Sequence, residues 1–106
     1  MSDLYKFRKY KKSQGKKKVK HPKLIVDEYK DEYGFMGLTS SYRKGKRHNN
    51  IRLSSNPKKG ASGESYLRRK IEYDRKEMFE KILDDYSLSD EDKKYIIEYV
   101  NKHKKR

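Results

Sequence analysis

A chain of 106 residues with 30 Lys and Arg against 16 Asp and Glu, a net charge of +14 and only 31% apolar residues has room for one small domain around one modest core. The absence of cysteine excludes disulfides, thiol catalysis and thiolate-held metal, and three widely spaced histidines make no zinc pattern, so neither a metal nor a cofactor is expected. No apolar run approaches the roughly 18 residues of a membrane span, and no signal-peptide core is visible, which gives the expectation of a cytoplasmic protein.

So large an excess of cations is best rewarded by a polyanion, and nucleic acid, RNA first, is the expected partner. A membrane surface would call for an amphipathic helix with a basic face, which the mixed-charge C-terminal segment does not supply. Solubility, or docking to an acidic protein, is the plainer alternative.

The charge is uneven. Between Met1 and Lys20 nine Lys or Arg stand against Asp3 alone, a density that resists ordering without a partner. Residues 1–20 are therefore expected to form a flexible basic arm, with Lys16, Lys17, Lys18 and Lys20 on a nucleic-acid backbone and Tyr5, Phe7 and Tyr10 able to stack on bases. A solubilising tail is the alternative, and the aromatic spacing leaves open a short strand or helix near residues 4–10.

From His21 to Leu53 the pattern becomes strand-like. Lys23-Leu24-Ile25-Val26 and Tyr33-Gly34-Phe35-Met36-Gly37-Leu38, separated by the acidic stretch Asp27 to Glu32, read as a β-hairpin. Three hydroxyls, Thr39, Ser40 and Ser41, leave its end and enter a loop holding Arg43, Lys44, Lys46, Arg47, His48, Asn49 and Asn50, before Ile51-Arg52-Leu53 restores strand alternation. Ser54 to Gly63 is a loop by composition, and Glu64 to Asp74 reads as a strand. Met78, Phe79, Ile82, Leu83 and Tyr86 recur at intervals of three and four and predict a helix capped by Asp74. A second helix is announced by Ser89 and Asp92 in a capping-box spacing, with Ile96, Tyr99 and Val100 turned inward. The expected class is α+β, mainly β: four or five strands, then two C-terminal helices.

The series His21-Pro22-Lys23-Leu24-Ile25-Val26, Met36-Gly37-Leu38-Thr39-Ser40, Asn50-Ile51-Arg52-Leu53, Ser65-Tyr66-Leu67 and Ser87-Leu88-Ser89-Asp90-Glu91-Asp92 resembles the MazF/PemK group of toxin endoribonucleases over roughly residues 20–100. The resemblance implies a small SH3-like barrel over 21–106, often a homodimer and opposed by a protein antitoxin. It also implies cleavage of single-stranded RNA without metal, through attack of a ribose 2′-hydroxyl on the adjacent phosphate. The family's catalytic threonine falls on Thr39, whereas its arginine falls on His21. The family's N-terminal strand is replaced by the lysine arm.

Such chemistry needs a base for the 2′-hydroxyl, an acid for the leaving oxygen and donors for the developing phosphorane charge. His21 and His48 titrate near neutral pH, Thr39 and Ser40 donate hydrogen bonds, and Arg43, Arg47 or Lys20 supplies permanent charge. The candidate catalytic set is therefore His21, Thr39, Ser40, Arg43 and Arg47. Nucleic-acid contacts are expected from Lys16, Lys17, Lys18, Lys20, Lys44, Lys46, His48 and Arg52. Taken singly, each has an ordinary structural explanation, such as a strand-ending histidine or a turn-closing hydroxyl. The acidic pairs Asp27-Glu28 and Asp31-Glu32 read as solvated turn residues, and no phosphate-binding glycine motif is present. The competing expectations are an open-sheet α+β fold and a non-catalytic nucleic-acid-binding or inhibitory protein of a phage, plasmid or other mobile element.

Overall fold

The computed structural model describes residues 4–11, 21–40 and 50–104. In chain order these form β1 (Phe7–Tyr10), β2 (Lys23–Tyr29), β3 (Glu32–Thr39), β4 (Ile51–Arg52), β5 (Tyr66–Leu67), β6 (Glu72–Arg75), a 3-10 turn (Lys76–Met78), β7 (Phe79–Ile82) and α1 (Asp90–His103). The predicted hairpin is the centre of the molecule. Its strands run further than the apolar stretches suggest, because Glu28 and Tyr29 face solvent yet still pair with Tyr33 and Glu32. Gly34 is required within it: a Cβ there would lie 2.7 Å from the Tyr73 ring, whose hydroxyl donates to Asp27 at 2.8 Å.

All pairings are antiparallel, in the order β4-β5-β3-β2-β1-β7. Strand β3 is long enough to serve two neighbours on one edge, β6 at Glu32–Phe35 and β5 at Leu38 and Thr39. The result is a mainly β protein, an open antiparallel sheet with one C-terminal helix. No helix of the described residues is long and apolar enough to cross a membrane.

Strand alternation divides the side chains between two faces. Leu24, Met36, Leu38, Ile51, Leu53 and Leu67 point to one face, joined by Phe7 and covered by Ile96 and Val100 of α1. Tyr10, Ile25, Tyr33, Phe35 and Phe79 pack on the other, with ring centroids 5.0–5.4 Å apart. This second cluster covers only part of its face, and beyond it the surface turns polar.

Helix α1 begins where the capping box predicts: the Asp92 N–H donates to Ser89 Oγ at 3.1 Å, and Ile96 and Val100 are buried. The Asp92 carboxylate does more than favour the helix dipole, since both of its oxygens accept from the Ser54 N–H, at 2.9 and 3.0 Å, and pin the chain after β4 to the helix. Asp92→Ala removes a buried carboxylate from a part-buried, charge-assisted hydrogen bond and is expected to cost about 1.5–3 kcal/mol. A urea titration checks it, with a lower midpoint and unchanged slope as the expected outcome.

Two expectations are corrected. The helix predicted from Asp74 does not form: that segment is β6, the 3-10 turn and β7. Its apolar spacing of three and four arises because Met78 and Phe79 serve the aromatic cluster while Leu83 and Tyr86 serve the helix-covered core. Asp74 accepts a hydrogen bond from the Tyr10 hydroxyl instead of capping a helix. The basic arm likewise does not extend over residues 4–11, because β1 pairs with both β2 and β7 and Phe7 is 0% exposed. Residues 12–20, with Lys16, Lys17, Lys18 and Lys20, lie outside the described residues, as do residues 41–49.

Candidate nucleic-acid interface

The polar part of the second face is assembled by register. Lys23 pairs with Gly37, and the Leu38 N–H donates to the Pro22 carbonyl at 3.0 Å, so the same register places His21 opposite Thr39. On the other side of β3, Thr39 pairs with Tyr66, and the Arg68 N–H donates to the Gly37 carbonyl at 2.9 Å. Tyr66 in turn pairs with Arg52. Residues directly opposite one another share a face. One surface therefore carries His21 and Lys23 from β2, Gly37 and Thr39 from β3, Tyr66 and Arg68 beside β5, and Arg52 from β4.

Gly37 is its floor. A Cβ at that position would stand 3.3 Å from both Lys23 Nζ and Arg68 Cδ, so the missing side chain is what lets two cations lie across the strand. Lys23 is only 9% exposed, with its ammonium 5.7 Å from the centre of the Tyr10 ring. Burial, followed by the repulsion of Arg68, lowers its pKa below the usual lysine range, and Glu72 opposes this only in part. Among the described residues neither Lys23 nor Arg68 forms an ion pair. At the rim, Glu64 braces the site by accepting from Tyr66 Oη at 2.7 Å and pairing with Arg52 at 2.8 Å.

His21 is the titratable member. Partial desolvation of its ring lowers its pKa below 6.5, and Lys23 and Arg68 lower it further. In the free protein it is therefore neutral at pH 7 and available as a base. The unfolded chain takes up this proton more readily than the folded one, so the group's contribution to stability is fully present above pH 6.5 and is lost as pH falls through the folded pKa. A bound phosphate reverses the electrostatic bias. Affinity for RNA is expected to rise as pH is lowered from about 8 to about 5, and His21→Ala should remove part of that rise. Fluorescence anisotropy across the pH series measures it.

Of the predicted site residues, the fold brings together His21 and Thr39, with Ser40 exposed at the strand end and Arg52 on the same face two strands away from Thr39. Arg43, Lys44, Lys46, Arg47 and His48 lie outside the described residues. Lys23, Gly37, Tyr66 and Arg68 were not anticipated as site residues. Their signal was present in the period of two, since His21 and Lys23, Gly37 and Thr39, and Tyr66 and Arg68 are each spaced to share a strand face.

Two cations, Lys23 and Arg68, beside Gly37 on a face shared with Thr39 suit an anion with several oxygens, and neighbouring rings suit a base. No group of three His, Asp or Glu among the described residues is placed to hold a metal ion. Compared with protein-family models, curated proteins and solved structures, the chain finds no match.

Proposed function

We propose that the protein is a MazF/PemK-like endoribonuclease of the cytoplasm that cleaves single-stranded RNA without metal, on an SH3-like barrel. The observation that carries this reading is the convergence of His21, Thr39, Lys23 and Arg68 on one sheet face, around Gly37. The barrel reading is supported by the path β7-β1-β2-β3-β6 and by the 3-10 turn that carries the chain from β6 back to the far edge at β7. A homodimer and a protein antitoxin belong to the same proposal.

His21 takes the proton of the ribose 2′-hydroxyl as its oxygen attacks the adjacent phosphorus. The bond from phosphorus to the 5′-oxygen breaks, leaving a 2′,3′-cyclic phosphate and a free 5′-hydroxyl. Arg68 carries the developing phosphorane charge, which replaces the permanent cation that the family places at the position of His21. Thr39 donates to a non-bridging oxygen. Lys23, made more acidic by burial and by Arg68, delivers the proton to the leaving oxygen.

The experiment is incubation of purified protein with single-stranded RNA in EDTA, with analysis of the new ends. Cyclic phosphate from wild type, lost in Thr39→Ala and His21→Ala, is the expected outcome. Absence of cleavage, or equal cleavage by both variants, would sink the enzyme. It would leave the second reading, a non-catalytic RNA-binding or inhibitory protein of a mobile element, which the histidine at the family's arginine position favours because a non-enzyme needs no permanent bidentate cation there. Either reading requires log affinity to fall linearly with log salt, with a slope of about −0.7 per phosphate contacted on a single strand.

A further inference from the structure

Among the described residues the sheet ends at β4, and between that edge strand and the first turns of α1 lies a groove of about 490 Å³ that the chemistry above does not use. Its floor is apolar, from Ile51 and Leu53, and its walls are Arg52, Arg69, Glu91 and Tyr95. That volume lies within the range of about 300–1,000 Å³ occupied by small-molecule and nucleotide sites. Its shape is held independently of any ligand, because the double hydrogen bond from Ser54 to Asp92 fastens one wall to the other.

Tyr95 is the telling residue. It stands on a helix whose other aromatic, Tyr99, packs against the core and donates to the Arg69 carbonyl, yet Tyr95 itself is 52% exposed. A half-exposed ring above an apolar floor is a stacking platform. Arg52 joins this groove to the phosphate cradle, since its residue lines the groove while its guanidinium lies toward Glu64 at the rim of the cradle face. That exposed pair is weak and exchanges readily for a phosphate. From β2 to β4 there are three strand spacings, about 14 Å in all, which a short oligonucleotide crosses. Glu91 repels phosphate and accepts hydrogen bonds from amino groups, so it orients the occupant with its phosphate toward Arg52 and its base edge toward the helix.

We propose that this groove is a second nucleotide subsite for single-stranded RNA, in which a base stacks on Tyr95, its phosphate meets Arg52, and Glu91 selects bases that carry an exocyclic amine. The assignment rests on the reading of the protein as an RNA binder and adds to it a preference for the amine-bearing bases, cytosine, adenine and guanine, over uracil at a position flanking the cradle.

The chain contains no tryptophan, so Tyr95→Trp introduces a single indole reporter at an exposed position. Its fluorescence is expected to be quenched by oligo(C) and oligo(A) and less by oligo(U), and adding Glu91→Gln should remove the difference. In parallel, anisotropy of labelled oligomers reads total binding, with Tyr95→Ala lowering affinity for oligo(C) by about 5- to 150-fold. Salt-sensitive binding in anisotropy without quenching of the indole overturns the subsite and leaves RNA binding intact. No binding of any oligomer by the wild-type chain overturns the RNA reading and this subsite with it.

Discussion

With Arg68 replaced by alanine, cleavage of single-stranded RNA is expected to fall by about 100- to 1,000-fold, the loss typical of removing one preorganised donor from a developing oxyanion. Arg68 lies over Gly37 beside Lys23 and among the described residues has no carboxylate partner that would compete for it. The guanidinium is therefore not held by a carboxylate of the described residues. Arg68→Lys keeps the charge but loses the planar pair of donors, and should recover only part of the rate. The side chain is half-buried and outside both apolar clusters, so the melting temperature should change little in either variant. Single-turnover cleavage in EDTA, beside a thermal melt, separates the two effects. Undiminished cleavage by Arg68→Ala would mean that another group carries the phosphorane charge.

The largest effect on stability is expected at Phe7. This ring is 0% exposed, pairs in register with Leu24, and meets the Tyr86 ring at 5.7 Å, while its carbonyl accepts from the Leu83 N–H at 2.8 Å. Phe7→Ala removes a fully buried aromatic at the junction of β1, β2 and β7 and should cost about 3–5 kcal/mol. A small domain sits low in the usual range of about 5–15 kcal/mol, so the variant is left with a margin of only about 0–2 kcal/mol. Phe7→Leu, which keeps most of the volume, should cost under about 1.5 kcal/mol. Urea denaturation followed by far-UV circular dichroism measures both. If residues 4–11 were a detachable arm, neither substitution would move the midpoint.

That contrast shows where the sequence was legible. The hairpin could be read because Leu24, Ile25, Phe35 and Met36 fill both faces of paired strands, a pattern decided within each segment. Helix α1 could be read because Ser89, Asp92, Ile96 and Val100 satisfy cap and stripe together. Strand β1 was obscured by its charge, since Arg8 and Lys9 between two aromatics resemble a solvated arm until β7 is known to lie alongside. Strand β7 was misread for a related reason: Phe79, Ile82 and Leu83 have helical spacing, and only the long-range pairing of Tyr10 with Phe79 decides against it. In the site, Thr39 and His21 were visible as chemistry-bearing residues. Lys23 was hidden inside an apolar run, and Arg68 became significant only once β5 was placed on the edge of β3.

The pairing of β1 with β7 also governs the order of events during synthesis. The two strands that close the sheet at that edge are Phe7–Tyr10 and Phe79–Ile82, and Tyr10 waits for a partner 69 residues downstream. At translation rates of about 5–20 residues per second, that wait is roughly 3–14 s. A hairpin such as β2 and β3 closes within about 1–10 μs of its emergence. The nascent chain therefore spends seconds with β2 and β3 free to pair, while Phe7 and the apolar face of the hairpin have neither β7 nor α1 to cover them. During that interval the growing chain exposes a basic, partly apolar hairpin whose apolar face is covered only when α1 reaches the core.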